Sequence, residues 1–228
     1  MTAPQTLLID GDDTLWENNV YFEEAIEAFL DYLRHSSLDR DQVRSMLDEI
    51  ERLNSRVHGY GAAAFARNLR QTYERLAERR VELRDLDYLM MLGQRILKRE
   101  IELLPGVAET LSYLRAHHRL LLVTKGDPEE QGLKVERSGV RDEFNEVVIL
   151  AEKDEQAYRD LVRAYHLEPP STWMIGNSPR SDVNPALSAG LNAVFIPHAH
   201  TWRLESESLG ESDRLLVLNA FTELRSHF

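Results

Sequence analysis

The chain has 228 residues, 43% of them hydrophobic and 29% charged, enough to bury the core of one or two globular domains. A formal charge of −12 argues against a nucleic-acid backbone as partner, and the absence of cysteine excludes disulfides and thiolate metal sites. The first apolar run stops at Ile9 and none reaches membrane-spanning length, so a cytoplasmic protein with no cleavable signal and no membrane partner is expected.

In chain order, Thr6 to Ile9 reads as a short buried strand that runs into Asp10-Gly11-Asp12-Asp13-Thr14. Three carboxylates in four residues repel one another and lose solvation near a core, so solvent, a metal ion or a reaction must offset them. A calcium loop of the EF-hand type fails on detail. Leu15 stands where that loop needs glycine, and Tyr21 where it needs a bidentate glutamate.

A long helical region follows. Apolar residues recur at three- and four-residue spacing in four groups: Phe22–Leu33, Val43–Val57, Phe65–Leu76 and Leu86–Ile96. Asp39 and Gln42 are placed to form a capping box before the second helix, and Leu104-Pro105-Gly106 is the breaker after the fourth. From Pro105 onward the texture changes. A short helix around Val107–Leu114 leads into five apolar runs, "RLLLVT" (119–124), "EVVIL" (146–150), "TWMIG" (172–176), "AVFIP" (193–197) and "LLVL" (215–218), separated mostly by helix-like stretches. Such runs signal a parallel sheet covered on both faces. The fold class is thus α/β: a Rossmann-like parallel core, residues 1–15 and 105–228, with a helical unit, 16–104, inserted after the first strand.

Ligands of open parallel sheets bind at the carboxyl ends of the strands. Those ends carry Asp10-Gly11-Asp12, Thr124-Lys125, Glu152-Lys153 and Gly176-Asn177-Ser178 through Asp182. Lys153 is one of only four lysines in the chain, and a lysine reaches a phosphate as a compact point charge. Carboxylates, a hydroxyl and a lysine converging on one edge are the chemistry of a metal-assisted phosphate site.

The order Asp-x-Asp-x-Thr, Thr, Lys and Gly-Asn-(four residues)-Asp resembles the haloacid dehalogenase superfamily, and the helical insertion resembles that family's four-helix cap. The second carboxylate, Asp12, matches the phosphatase pattern; the true dehalogenases lack it. The resemblance implies a Mg²⁺-dependent phosphatase acting on a small phosphorylated metabolite. Asp10 would be the nucleophile and Asp12 the general acid–base, with a pKa above the free value of about 3.9. Gly11 would let the backbone approach the transferring group, Thr124 would bond a phosphoryl oxygen, and Lys153 would offset charge on phosphate and Asp10. Asp10, the carbonyl of Asp12 and Asp182 would hold the metal. Two departures stand out. Asn177 replaces a common Asp, so it would reach the metal at most through a water. Lys125 replaces a common Asn and is a candidate substrate contact. Asp13 is left to cap the turn or face solvent, and His198 and His200 to line a loop. Substrate choice would lie near Trp16, Asn18, Tyr21 and Phe22. Two alternatives remain open at this point: a phosphotransferase or mutase of the same superfamily, and a non-catalytic metal- or phosphate-binding regulator.

Overall fold

The computed structural model describes residues 3–228. Two compact units divide the chain; one runs to Asn19 and resumes at Ile101, and the other is Val20–Glu100.

The first unit is built on six parallel strands: β1 (Thr6–Ile9), β2 (Arg119–Lys125), β3 (Glu146–Leu150), β4 (Thr172–Gly176), β5 (Asn192–Phe195) and β6 (Leu215–Val217). Their spatial order is β3-β2-β1-β4-β5-β6. Successive side chains of a strand point to opposite faces. Leu7 and Ile9 accordingly join Leu111, Leu122 and Ile175 in one buried cluster, while Leu8 joins Leu121, Val123, Tyr158 and Met174 in another. The sheet is apolar on both sides, which is why its strands read as continuous rather than alternating runs. The chain leaves β1 toward β2 and β3 and returns to β4 on β1's other side. That reversal opens a crevice at the carboxyl ends of β1 and β4, where the acidic motifs lie.

The second unit carries helices α1 (Asn19–Leu33, its first residue in the other unit), α2 (Arg40–His58), α3 (Ala62–Leu76) and α4 (Leu83–Leu97), and the chain goes on in the first unit with α5 (Val107–Arg115), α6 (Pro128–Arg137) and α7 (Glu155–Ala164). The helices of the second unit share a separate core of Ile26, Phe29, Leu47, Phe65, Leu69 and Leu89. The Asp39 carboxylate accepts from the Gln42 N–H (2.8 Å) and the Gln42 side chain from the Asp39 N–H (3.0 Å), so the expected capping box is present. Tyr21 is buried in this core and Phe22 stacks edge-on against Phe65, at 5.1 Å between ring centres. Both aromatics therefore do packing work in their own unit.

The boundaries differ from 16–104 for a physical reason. Leu15 and Trp16 are fully buried in the core of the sheet. The Leu104 N–H donates to the Leu15 carbonyl and the Glu17 N–H to the Glu102 carbonyl (2.9 Å each), and Trp16 bridges antiparallel to Leu103. Helix α4 accordingly stops at Leu97, short of the expected breaker, because the leucines that follow belong to the other core.

Candidate active site

Strand β1 ends by delivering Asp10 into the crevice, its N–H donating to the Ile175 carbonyl at 2.9 Å. The Lys153 ammonium, just ahead of helix α7 (Glu155–Ala164), lies between two carboxylates, 2.5 Å from Asp10 Oδ1 and 2.8 Å from Asp182 Oδ1. All three side chains are buried. One cation for two buried anions leaves the cluster negative. Burial, followed by the Asp182 charge, pushes the Asp10 carboxyl up to about 7 despite Lys153. Burial opposes the charge on Lys153, but Asp10 and Asp182 outweigh it and hold the ammonium above the ordinary lysine range.

Asp182 is set by the loop after β4. Residues Pro179–Val183 form a π turn, in which the Val183 N–H reaches back to the Ser178 carbonyl at 3.1 Å. The Ser178 N–H donates to Asp182 Oδ2 (2.9 Å). Gly176 makes room: a Cβ there would stand 2.2 Å from Asp182 Oδ2. On the other side of Asp10, the Thr14 hydroxyl lies 3.1 Å from Asp10 Oδ2 and 3.3 Å from Asn177 Oδ1. The Asn177 amide donates to Thr201 Oγ1 (2.9 Å), and its oxygen faces the Thr14 hydroxyl.

Asp12 is held differently from the sequence expectation. Its Oδ1 accepts from the Trp16 indole (2.7 Å), its Oδ2 from Gln131 Nε2 (2.9 Å), and both oxygens from Lys134 Nζ (3.0 and 2.9 Å). Burial acts to raise its pKa, but the Lys134 charge and these hydrogen bonds together hold the carboxyl below the usual range. The expectation of a raised pKa is corrected on that ground. Gln131 and Lys134 lie on α6 (Pro128–Arg137) and carry no motif spacing, so sequence reasoning missed them.

The remaining expected residues divide. The Thr124 hydroxyl is buried and donates to Gln131 Oε1 (3.2 Å), close to the group that binds Asp12. Gly11 has a second reason to be glycine, since a Cβ would meet the Trp16 ring at 2.7 Å. Lys125, expected to touch substrate, is committed elsewhere. Its ammonium binds Glu205 (2.7 Å), Ser181 (2.9 Å) and Glu152 (3.2 Å), because the buried Glu205 needs a cation. Trp16 is core and a partner of Asp12, not an exposed specificity residue. Asn18 accepts from Lys134 Nζ (2.7 Å).

Asp13 is buried, with φ of 59°, and its carboxylate caps the N–H groups of Asn18 and Asn19 (3.0 Å each). Burial pushes it up to about 7 against those bonds. His200 is exposed, but His198 is not a simple surface residue. It lies 3.7 Å from Asp13 and 3.4 Å from Glu17, and the ligand atoms of these three fall within 4.8 Å of one another.

The donor set around Asp10 suits a hard divalent cation. Asp10 and Asp182, joined by Lys153, and the Asn177 oxygen, joined to Asp10 through Thr14, are all oxygen donors, as is the Asp12 carbonyl two residues along the chain from Asp10, and the buried pair is short of positive charge. Among the described residues no backbone N–H donates to that carbonyl.

Comparison with known proteins agrees with this architecture. The family model described as haloacid dehalogenase-like hydrolase matches residues 4–190. The chain is 27% identical over 128 residues to the pyrimidine 5'-nucleotidase YjjG of Escherichia coli, a match spanning 50% of this chain and 56% of that protein. A haloacid dehalogenase-like family hydrolase from Xanthomonas campestris superposes with a TM-score of 0.84 at 29% identity, covering 100% of this chain and 95% of the other. More distant structures share the fold alone. They include the putative hydrolase YfnB from Bacillus subtilis bound to magnesium (TM-score 0.70, 15% identity, 99% of each chain). Another is an L-2-haloacid dehalogenase from Xanthobacter autotrophicus with chloropropionic acid covalently bound (0.66, 15%, 98% and 97%). With a parallel sheet that gathers Asp10, Lys153 and Asp182 and a family model spanning most of its length, the chain belongs to the haloacid dehalogenase-like hydrolases.

Proposed function

We propose that the protein is a Mg²⁺-dependent phosphatase that hydrolyses a small phosphomonoester through an aspartyl-phosphate on Asp10. The observation that carries this reading is Asp12, a second carboxylate two residues after the nucleophile, set among donors in the same site. That carboxylate is the feature by which the first motif resembles the phosphatases of the superfamily and not its true dehalogenases. The likeness to a nucleotidase supports a phosphate ester as substrate, and a nucleoside monophosphate belongs in the first panel tested.

In this reading an Asp10 oxygen attacks phosphorus, the ester P–O bond breaks, and the departing alkoxide takes a proton from Asp12. Water then attacks the acyl phosphate, gives its proton to Asp12, and inorganic phosphate leaves as the Asp10 carboxylate is restored. Lys153 stabilises the anion on Asp10 and, with Thr124, offsets and orients the phosphoryl oxygens. Asp10, Asp182 and the Asp12 carbonyl would hold Mg²⁺, whose charge when bound favours ionised Asp10 and offsets that of the phosphate. Asp12 is held ionised here, the form that activates water. The negative phosphate beside it would raise its proton affinity for the acid step. Residues 20–100, a helical unit with its own core, are the candidate cap.

The test is release of inorganic phosphate from a panel of phosphorylated metabolites, with and without Mg²⁺, beside halide release from 2-chloropropionate. Phosphate release that needs Mg²⁺ supports the phosphatase. Halide release without phosphate release would replace it with a dehalogenase.

A further inference from the structure

Asp12 makes four contacts to donors and none to an acceptor: Trp16 on one oxygen, Gln131 on the other, and Lys134 across both. Two of these donors come from one helix. Gln131 and Lys134 are three residues apart on α6, hence neighbours on one helix face. The helix is itself anchored at the sheet edge. Asp127 caps it by accepting from the Glu129 and Glu130 N–H groups (3.0 Å each), and the Gly126 N–H donates to the Leu150 carbonyl at the end of β3 (3.0 Å). Gly126 holds a φ of 146° and a Cβ there would press on Gln131 at 3.1 Å, so the turn leaves space for that side chain. Gln131 also has a second partner. Its Oε1 accepts from the Thr124 hydroxyl while its Nε2 donates to Asp12. Lys134 likewise reaches past Asp12 to the Asn18 side chain.

We propose that Gln131 and Lys134 are positioning residues for the hydrolytic reaction, fixing the orientation of Asp12 and tying it through Gln131 to Thr124. The inference rests on the phosphatase reading above. It assigns to α6 a task that the four strand-end motifs leave open, namely keeping the acid–base carboxylate in register with the hydroxyl that contacts the phosphoryl group. Lys134 Nζ, bound to both oxygens, resists rotation of the carboxylate about its last bond. The two ends of the Gln131 amide have opposite hydrogen-bonding character, so its oxygen turns to the Thr124 hydroxyl and its nitrogen to Asp12. A residue that orients an acid matters most where the leaving group needs a proton and least where it departs readily as an anion.

The experiment compares kcat/KM for substituted phenyl phosphates, from 4-nitrophenyl to unsubstituted phenyl, in wild type, Lys134→Met, Lys134→Arg, Gln131→Leu and Asp12→Asn. Asp12→Asn should lose at least tenfold more on phenyl than on 4-nitrophenyl phosphate. Lys134→Met and Gln131→Leu should show the same skew, about three- to tenfold, and Lys134→Arg should recover part of it. A skew in Asp12→Asn with uniform losses in the α6 variants overturns the positioning role and leaves the phosphatase reading standing. Uniform loss in Asp12→Asn removes the acid role and the proposal with it. A crystal structure of Lys134→Met gives a readout independent of turnover. Asp12 should rotate away from Trp16 or Gln131, and an unmoved carboxylate would contradict the proposal whatever the activity.

Discussion

Asp10 is buried with its carboxyl pushed up to about 7, held against Asp182 with one ammonium between them. Asp10→Asn should lower phosphate release at least a thousandfold while circular dichroism and cooperative melting stay intact; near-normal turnover would remove it as nucleophile. Asn177 shares the Thr14 hydroxyl with Asp10, the proposed metal ligand. Asn177→Asp should tighten Mg²⁺ by about 1 kcal/mol, an effective dielectric near 20 being offset by partial screening. Calorimetric titration with Asp182→Asn as the weakened control checks it, and unchanged affinity would place residue 177 outside the site. Asp13 gives a pH signature of its own. Its folded pKa of about 7 lies above the ordinary aspartate value of 3.8, so its neutral form favours folding below pH 4 and that stability is lost as pH rises through 7. Asp13→Asn tolerates the left-handed backbone at φ 59° and removes the ionisation. Melting temperature should therefore fall less steeply between pH 4 and 7 in this variant than in wild type, and parallel curves would contradict the assignment.

At the scale of elements, each motif works through the strand or turn that presents it. Gly176 closes β4 so that Asp182 can approach, and Gly176→Ala must displace that carboxylate or the backbone. The substitution should cost about 1–3 kcal/mol of stability and weaken Mg²⁺ in the same titration; a stable variant with unchanged metal affinity would show that the approach is dispensable. The strands were legible because a doubly covered parallel sheet writes itself as apolar runs, and β1, β3 and β4 fall where their runs do. Asp10, Lys153 and Asp182 were legible for a related reason, since Asp10 follows such a run directly and the other two lie in the loops that leave β3 and β4. Gln131 and Lys134 were not, because they lie inside a helix whose ordinary amphipathic spacing hides a face turned to the crevice. Lys125 misled in the opposite direction. Its position at a strand end suggested substrate, while its partner Glu205 lies 80 residues on and leaves no local trace.

On the scale of the whole molecule, two apolar cores are built from separate stretches of chain, Tyr21 to Ile96 for the helical unit and the flanking segments for the sheet. The segments flanking the insertion are already joined by the Trp16–Leu103 bridge and the Glu17–Glu102 hydrogen bond. A short linker replacing residues 20–100 should therefore leave the sheet unit folded, with cooperative melting, and should lower discrimination among substrates. A variant that no longer folds would show one indivisible domain. The central claim, covalent catalysis by Asp10, is tested most directly by rapid acid quench during turnover of a good phosphate ester, followed by peptide mass spectrometry. One phosphoryl group is expected on the peptide containing Asp10, labile to hydroxylamine and absent in Asp10→Asn. A phosphoryl group on another residue, or none while phosphate is being released in single-turnover bursts, would contradict it.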